Sequence, residues 1–250
     1  MRGLYALVDV GALGARQLEV LPFAEAVISA RPAALQLRDK RGGGADTMAL
    51  LRALRPLCQR AGVELFGNDR PDLAALAGCR GVHLGQEDVP VSMARGVAAH
   101  AMLDDFQVGL STHDEAELDA GLETEADYLA IGPVFGTVNK ERPAPTLGLE
   151  GLARLVARAR AARPALPLVA IGGIDAGTAA AVARLVDAVA VIGALLPGEG
   201  AAPGAWMDEV RARTAALVSE VARGHHEASG ASGAASAHCG GSSPPTGESA

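Results

Sequence analysis

Short apolar runs alternate along the chain with longer stretches whose apolar residues recur every three to four positions. The runs fall at 4–8, 33–37, 63–66, 81–84, 106–110, 127–131, 168–171 and 188–192. Helical spacing fills 19–30, 46–61, 70–77, 91–101, 114–121, 149–162, 177–185 and 205–222. Largely continuous apolar strands are buried on both faces, and helical crossovers between them make neighbours parallel. Eight strand–helix units predict an α/β fold, a closed (β/α)8 TIM barrel in a single domain. An open doubly wound sheet is the runner-up, weakened because no Gly-x-Gly-x-x-Gly follows the first run. Punctuation agrees: Asp46 is placed as an N-cap, Gly62 as a helix stop, Pro71 as a helix opener and Gly224 as the end of the last helix.

Composition changes this picture only at the end of the chain. Residues 224–250 contain no Leu, Ile, Val or Phe and are rich in Gly, Ser and Ala. Such a segment buries too little apolar surface to offset the entropy of ordering, so the barrel is expected over 1–223 and a disordered tail over 224–250. Truncation after Arg223 is then expected to leave stability and turnover nearly unchanged. His225, His226, His238 and Cys239 lie in this tail, but their irregular spacing argues against a metal site. The net charge of −7 argues against general nucleic-acid binding, while leaving room for a small anion held by local cations. Cys58, Cys79 and Cys239 are widely spaced and are read as reduced thiols. Without a signal-peptide pattern or a membrane-length apolar run, the expected location is cytoplasmic and no membrane partner is expected. No feature of the chain points to a particular oligomeric state.

The chemistry sits where the strands end. Residues 81–90 read Gly-Val-His-Leu-Gly-Gln-Glu-Asp-Val-Pro, an apolar strand that breaks at Gly85 and presents acidic groups at its carboxyl end. In parallel α/β folds that end carries the reaction. Gln36, Arg38 and Lys40 alternate after the second strand, which puts an amide and two cations on one side, either for a phosphate or as a solvated edge. Asn68-Asp69 follows the third strand and Asp88 the fourth. Two carboxylates from neighbouring strand ends can share a magnesium ion, or each can cap a helix. Ser111-Thr112-His113-Asp114 follows the fifth strand and can donate to phosphate or cap the next helix. After the sixth, residues 132–147 form a loop long enough for a lid. Gly172-Gly173 and Gly193 follow the seventh and eighth strands, where barrels commonly present backbone N–H groups to an anion; tight turns would explain them too.

Taken together, Gln36 to Lys40, Asn68-Asp69, His83 to Asp88, Gly109 to His113, residues 132–140 and Ile171 to Ile174 resemble the thiamine phosphate synthase family, in order, over residues 4–195. The resemblance implies a magnesium-dependent transferase. It would join hydroxymethylpyrimidine diphosphate to hydroxyethylthiazole phosphate, giving thiamine monophosphate and diphosphate. It further implies that Gln36, Arg38, Lys40, Asn68, Ser111 and Lys140 hold the pyrimidine diphosphate, with Arg38, Lys40, Ser111 and Lys140 acting in catalysis. Asp69 and Asp88 would bind Mg2+. Thr137, Asn139, Gly172 or Gly173, Ile192 and Gly193 would hold the thiazole phosphate. Two positions depart from the family pattern: Asn139 stands where a second Thr is usual, and Gly193 where Ser is usual. Both fall on the thiazole-phosphate side.

Two other readings compete. A thiazole tautomerase-type isomerase could use His113, but needs no metal-diphosphate site and so leaves Asp88 unexplained. A non-catalytic barrel that binds thiamine precursors would fit the departures at Asn139 and Gly193. No Ser-His-Asp or Cys-His arrangement offers a protein nucleophile, and His113 is expected to be structural.

Overall fold

The structure, a computed structural model, describes residues 1–136, 145–198 and 205–236. The elements run β1 (Gly3–Asp9), α1 (Val10–Gly14), α2 (Val20–Ser29), β2 (Ala34–Arg38), α3 (Gly44–Ala61), β3 (Glu64–Asn68), α4 (Pro71–Leu76), β4 (Gly81–Leu84) and α5 (Val91–His100). They continue with β5 (Gln107–Thr112), α6 (Glu115–Leu122), β6 (Tyr128–Ile131), α7 (Gly148–Ala162), β7 (Leu168–Ile171), α8 (Ala179–Ala183), β8 (Ala188–Val191), a 3-10 turn (Gly193–Leu195) and α9 (Trp206–Ser236). All eight strands are parallel and close in sequence order, β8 pairing back on β1 through Gly3–Ala188, Leu4–Val189, Tyr5–Ala190 and Ala6–Val191. The closed barrel is the architecture expected from the pattern, and the open sheet is excluded.

Alternation along each strand builds two cores. Leu4, Ala6, Val8, Leu35, Leu37, Val82 and Leu84 point out and pack with the helices in one large cluster. Tyr5, Leu7, Ala34, Phe66, Tyr128, Ala130, Val169, Ala188 and Ala190 point in and fill the barrel. The chain has few aromatics, and both its tyrosines are in this interior. Tyr5, Phe66 and Tyr128 meet edge to face, with ring centroids 5.5, 6.0 and 6.2 Å apart. Each such contact contributes about 0.5–1.5 kcal/mol beyond area burial. Gly109 makes room for one of them, since a Cβ there would lie 1.9 Å from the Tyr128 ring.

Some local expectations shift. α3 starts at Gly44 with Gly43 at its N-cap, so Asp46 lies in the first turn, where its charge still favours the helix dipole. Gly62 ends that helix in the left-handed conformation, as expected, and Pro71 opens α4.

The largest correction is at the C-terminus. α9 does not stop at Gly224 but runs on to Ser236. A Cβ at Gly224 would lie 2.3 Å from the Ala180 carbonyl oxygen, so this glycine is the point where α9 presses against α8. His225 is buried, with Nε2 3.1 Å from the Val186 carbonyl, and burial holds its pKa below the usual value. Glu227 pairs with Arg184, the C-cap of α8, and with Arg223. The boundary expected at 223 therefore falls inside a docked helix, and His225 is not available to a metal-binding tail. Residues 237–250, including His238 and Cys239, lie outside the described residues. Among the described residues no helix is long and apolar enough to cross a membrane.

Candidate active site

The carboxyl ends of the strands surround a cavity of about 930 Å³. Gln36, Arg38, Lys40, Asn68, Asp69, Asp88, Ser111, Gly172, Gly173, Ile192 and Gly193 all line it. Thr137, Asn139 and Lys140 lie outside the described residues.

On the β1–β4 side the cations and acids are already paired. Arg38, the last residue of β2, is a register partner of Asp9 at the end of β1, and their side chains form an ion pair. Asp9 is only 7% exposed, and its second oxygen caps α1 by accepting from the Ala12 N–H at 2.8 Å. Its carboxylate therefore fixes the guanidinium from inside the wall. Lys40 pairs with Asp69. Asp69 adopts φ +60°, a left-handed turn at the end of β3 that Asp tolerates better than most residues. The N-cap of α4 is Arg70, so Asp69 is not the helix cap that its position allowed. Its carboxyl group neighbours that of Asp88. Burial first, and then Asp88, push its pKa up, while Lys40 opposes the shift. Asp88 accepts the Gly85 N–H at 2.7 Å, and α5 is capped by Pro90, so Asp88 caps no helix either. Two neighbouring carboxyl groups from adjacent strand ends, with the ionised form of Asp69 disfavoured, make a hard oxygen donor set that suits magnesium. Among the described residues no group of three or more His, Cys, Asp or Glu side chains forms a fuller metal cluster.

The floor carries two orphaned atoms. Gln36 Oε1 and Asn68 Nδ2 are buried without a hydrogen-bond partner. Such atoms cost roughly 1–3 kcal/mol unless something satisfies them, so a polar ligand or a water at this floor would gain two hydrogen bonds.

Ser111 and His113 separate cleanly. α6 is capped by Asp114, which accepts from the Glu117 N–H at 2.9 Å, so Ser111 is not spent on capping. Its Oγ lies 2.8 Å from His83 Nε2. His113 is clamped to Glu117, whose carboxylate takes both the His113 backbone N–H at 2.8 Å and Nδ1 at 2.7 Å. That clamp ties the start of α6 to its next turn and gives His113 a structural task.

On the β6–β8 side the site is backbone. Gly172 and Gly173 have φ +108° and +63°. A Cβ on Gly172 would lie 2.6 Å from Pro133 Cα, and one on Gly173 would lie 2.4 Å from the Gly136 carbonyl oxygen. The two glycines thus let the loop after β6 cross the end of β7, held by Val134 N–H to Ile171 O and Phe135 N–H to Gly172 O, both 2.9 Å. Gly193, exposed, opens the 3-10 turn after β8.

Residues 4–195 match the family model described as thiamine monophosphate synthase. The chain belongs to that family. It is 36% identical over 197 residues to a thiamine-phosphate synthase from Chloroflexus aurantiacus, covering 78% of this chain and 86% of that one. It is 40% identical over 177 residues to another from Laribacter hongkongensis, covering 70% and 79%. Its fold is similar to that of the thiamine phosphate pyrophosphorylase from Pyrococcus furiosus, with a TM-score of 0.72, 30% identity and 89% and 96% of the two chains covered. Tryptophan synthase from Mycobacterium tuberculosis, at 16% identity and a TM-score of 0.63, shares the barrel alone.

Within this synthase-family chain, sequence reasoning missed several residues that shape the site. Asp9 was visible only as the end of an apolar run, yet it positions Arg38. Gln86 donates to the Ser111 carbonyl and ties the β4 and β5 loops together. Tyr5 and Tyr128 lie below the cavity, hydrogen-bonded to each other, and Tyr128 meets His83, which lines it. The available signal was period two: positions 5, 7 and 9 of β1 share one face, and that face is the inward one.

Proposed function

We propose that this chain is a thiamine phosphate synthase. It condenses 4-amino-5-hydroxymethyl-2-methylpyrimidine diphosphate with hydroxyethylthiazole phosphate to give thiamine monophosphate and diphosphate. One observation carries the reading: Asp69 and Asp88 are held together beside Lys40 and Arg38, across one cavity from the glycine corners of β7 and β8.

Asp69 and Asp88 would hold Mg2+, which when bound neutralises part of the diphosphate charge. Arg38 and Lys40 face the same group, and the family resemblance adds Lys140. The bond between the pyrimidine methylene carbon and the diphosphate oxygen breaks, and its electron pair leaves with diphosphate. Fixed cations aimed at that growing charge lower the barrier. The amino-substituted ring stabilises the resulting carbocation, and the thiazole nitrogen lone pair then forms the new carbon–nitrogen bond. No protein nucleophile and no proton transfer are required, which agrees with a site whose histidine at the α6 start is clamped to Glu117. Ser111 would donate to diphosphate, while Gln36 and Asn68 would meet the pyrimidine with their orphaned atoms. Gly172, Gly173, Ile192 and Gly193, with Thr137 and Asn139, would receive the thiazole phosphate. A cytoplasmic setting is part of the reading, supported by Cys58 and Cys79 being free and buried.

The test is diphosphate release by the full chain. Release is expected only with both substrates and magnesium together. No diphosphate release under those conditions, with magnesium-independent isomerisation of a thiazole substrate that is lost in His113→Ala, would favour the tautomerase-type chemistry.

A further inference from the structure

At the base of the cavity a row of polar atoms crosses the barrel from one wall to the other. Gln36 Nε2 lies 2.8 Å from Tyr5 Oη, which lies 3.2 Å from Tyr128 Oη. Tyr128 Oη lies 3.1 Å from His83 Nδ1, and His83 Nε2 lies 2.8 Å from Ser111 Oγ. The His83 ring stacks on Tyr128, 5.7 Å between centroids and 17° between planes. Gln36 and Ser111, the two ends, line the cavity, as does the half-buried His83, whereas Tyr5 and Tyr128 are each only 1% exposed. Burial raises the pKa of both phenols, so each keeps its single hydrogen.

One hydrogen per hydroxyl makes the row directional. With the Gln36 amide donating to Tyr5, Tyr5 donates to Tyr128 and Tyr128 to His83 Nδ1. The imidazole proton is then on Nε2 and is given to Ser111, whose own hydrogen is left for the cavity. In this sense Gln36 keeps Oε1, the atom without a partner, as the amide group still to be satisfied. Turning the amide over reverses every bond: Ser111 then donates to His83 and shows the cavity only lone pairs. A serine that serves an oxyanion fits the first sense alone.

We propose that His83, acting through Tyr128 and Tyr5, is a positioning residue that sets the donor sense of Ser111 and the acceptor sense of Gln36 together. The site thereby selects a diphosphate whose ring donates a hydrogen at the Gln36 edge, as an exocyclic amine does, over one that accepts there, as an oxo group does. The inference rests on the reading that an aminopyrimidine diphosphate occupies this cavity. A buried site that presents an acceptor leaves two oxygens facing each other when an oxo ring enters, which is a strong basis for rejection.

Two measurements test it. In substrate-free full-length protein labelled with 15N-histidine, His83, assigned by its contacts to the Tyr128 ring, is expected as the Nε2-protonated tautomer. The Nδ1-protonated form would overturn the proposal, and this measurement needs no variant. In the second, Tyr128→Phe keeps the ring and removes the link. Tyr5 can then donate to a turned Gln36, and the preference in kcat/KM for the amino over the oxo pyrimidine diphosphate is expected to fall by roughly tenfold or more. KM for thiazole phosphate is expected to stay as in the parent. A structural defect would lower both pyrimidines alike, and an unchanged ratio would overturn the proposal. If the parent condenses neither pyrimidine, the proposed function fails, and the tautomer still decides whether the row has the sense inferred here.

Discussion

Where β1 to β4 reach the mouth, recognition is built from charged side chains that already have partners: Arg38 with Asp9, Lys40 with Asp69, and Asp69 with Asp88. Where β6 to β8 reach it, the same cavity is edged by glycines whose missing Cβ atoms let one loop lie on another. The charged side can lose a functional group at Lys40, Asp69 or Asp88 without losing its shape, because these side chains stand at the open mouth. The glycine side cannot gain an atom at Gly172 or Gly173 without moving backbone. Variants on the two sides should therefore fail differently, the first in chemistry and the second in folding as well.

Asp88 gives the largest expected effect. Asp88→Asn retains an oxygen for the Gly85 N–H while removing the charge, and Asp88→Ala removes both. Each should lower kcat/KM by roughly two to four orders of magnitude, the scale of losing a principal electrostatic stabiliser. Melting temperature should hold or rise in the metal-free protein, because a carboxylate pressed against Asp69 is removed. Near-parent turnover in Asp88→Asn would break the assignment of this side.

Gly173→Ala comes next. At φ +63° any side chain is strained, and here the new Cβ would meet the Gly136 oxygen at 2.4 Å. Strain and displacement together should cost about 2 kcal/mol or more, lowering the melting temperature by roughly 5 °C. KM for thiazole phosphate should rise several-fold, with the pyrimidine diphosphate less affected. A variant as stable as the parent would show that the loop after β6 can give way, and the contrast between the two sides would weaken.

The contrast was only half legible in the sequence. The carboxylates and cations of β2 to β4 could be read because each sits just past an apolar run, where polarity changes sharply. The ion pair between Asp9 and Arg38 could not, since it depends on the register of β1 against β2. The row from Gln36 to Ser111 was hidden for a related reason. A barrel strand is buried on both faces, so Tyr5 and Tyr128 stand out by no contrast with their neighbours, and His83 could be seen in its motif but not joined to them. The C-terminal helix was misjudged because the test applied was large apolar area. Gly224 docks by having no side chain at all, and close backbone approach against Ala180 and Ala183 does not need Leu or Val.

That helix also bears on the glycine side, because α9 packs on α8 and His225 reaches the chain just before β8. Truncation after Arg223 removes Gly224, His225 and Glu227, and should lower the melting temperature by several degrees; truncation after Gly230 leaves these contacts and should not. The parent should also lose stability on acidification more than His225→Gln. Burial holds the folded-state pKa of His225 below its ordinary 6.5, so the unfolded chain binds the proton first. Its contribution is complete above pH 6.5 and is lost as pH falls through the lower, folded value. Equal melting temperatures for the two truncations would mean that the last turns of α9 dock without consequence.

The smallest expected effect is the sharpest probe of the glycine side, because there one glycine should accept a side chain. Gly193 is exposed and opens a 3-10 turn, and it is absent from the positive-φ glycines of the described chain. The turn is held by Leu195 N–H to Ile192 O and Leu196 N–H to Gly193 O, both 3.1 Å, and neither bond involves the position of a new Cβ. Gly193→Ser therefore adds a hydroxyl without asking for a conformation serine avoids. A further donor near an anion held by backbone N–H groups should lower KM for thiazole phosphate by roughly two- to fivefold, the low end of the net worth of one hydrogen bond, as suits an exposed edge. KM for the pyrimidine diphosphate and the melting temperature should not move. Asn139→Thr can then be added to the serine variant, and any further gain should again be confined to the thiazole substrate. Unchanged KM values in both variants would place the thiazole phosphate elsewhere in the cavity. A gain shared by both substrates would mean that the glycine corner does not serve one of them in particular.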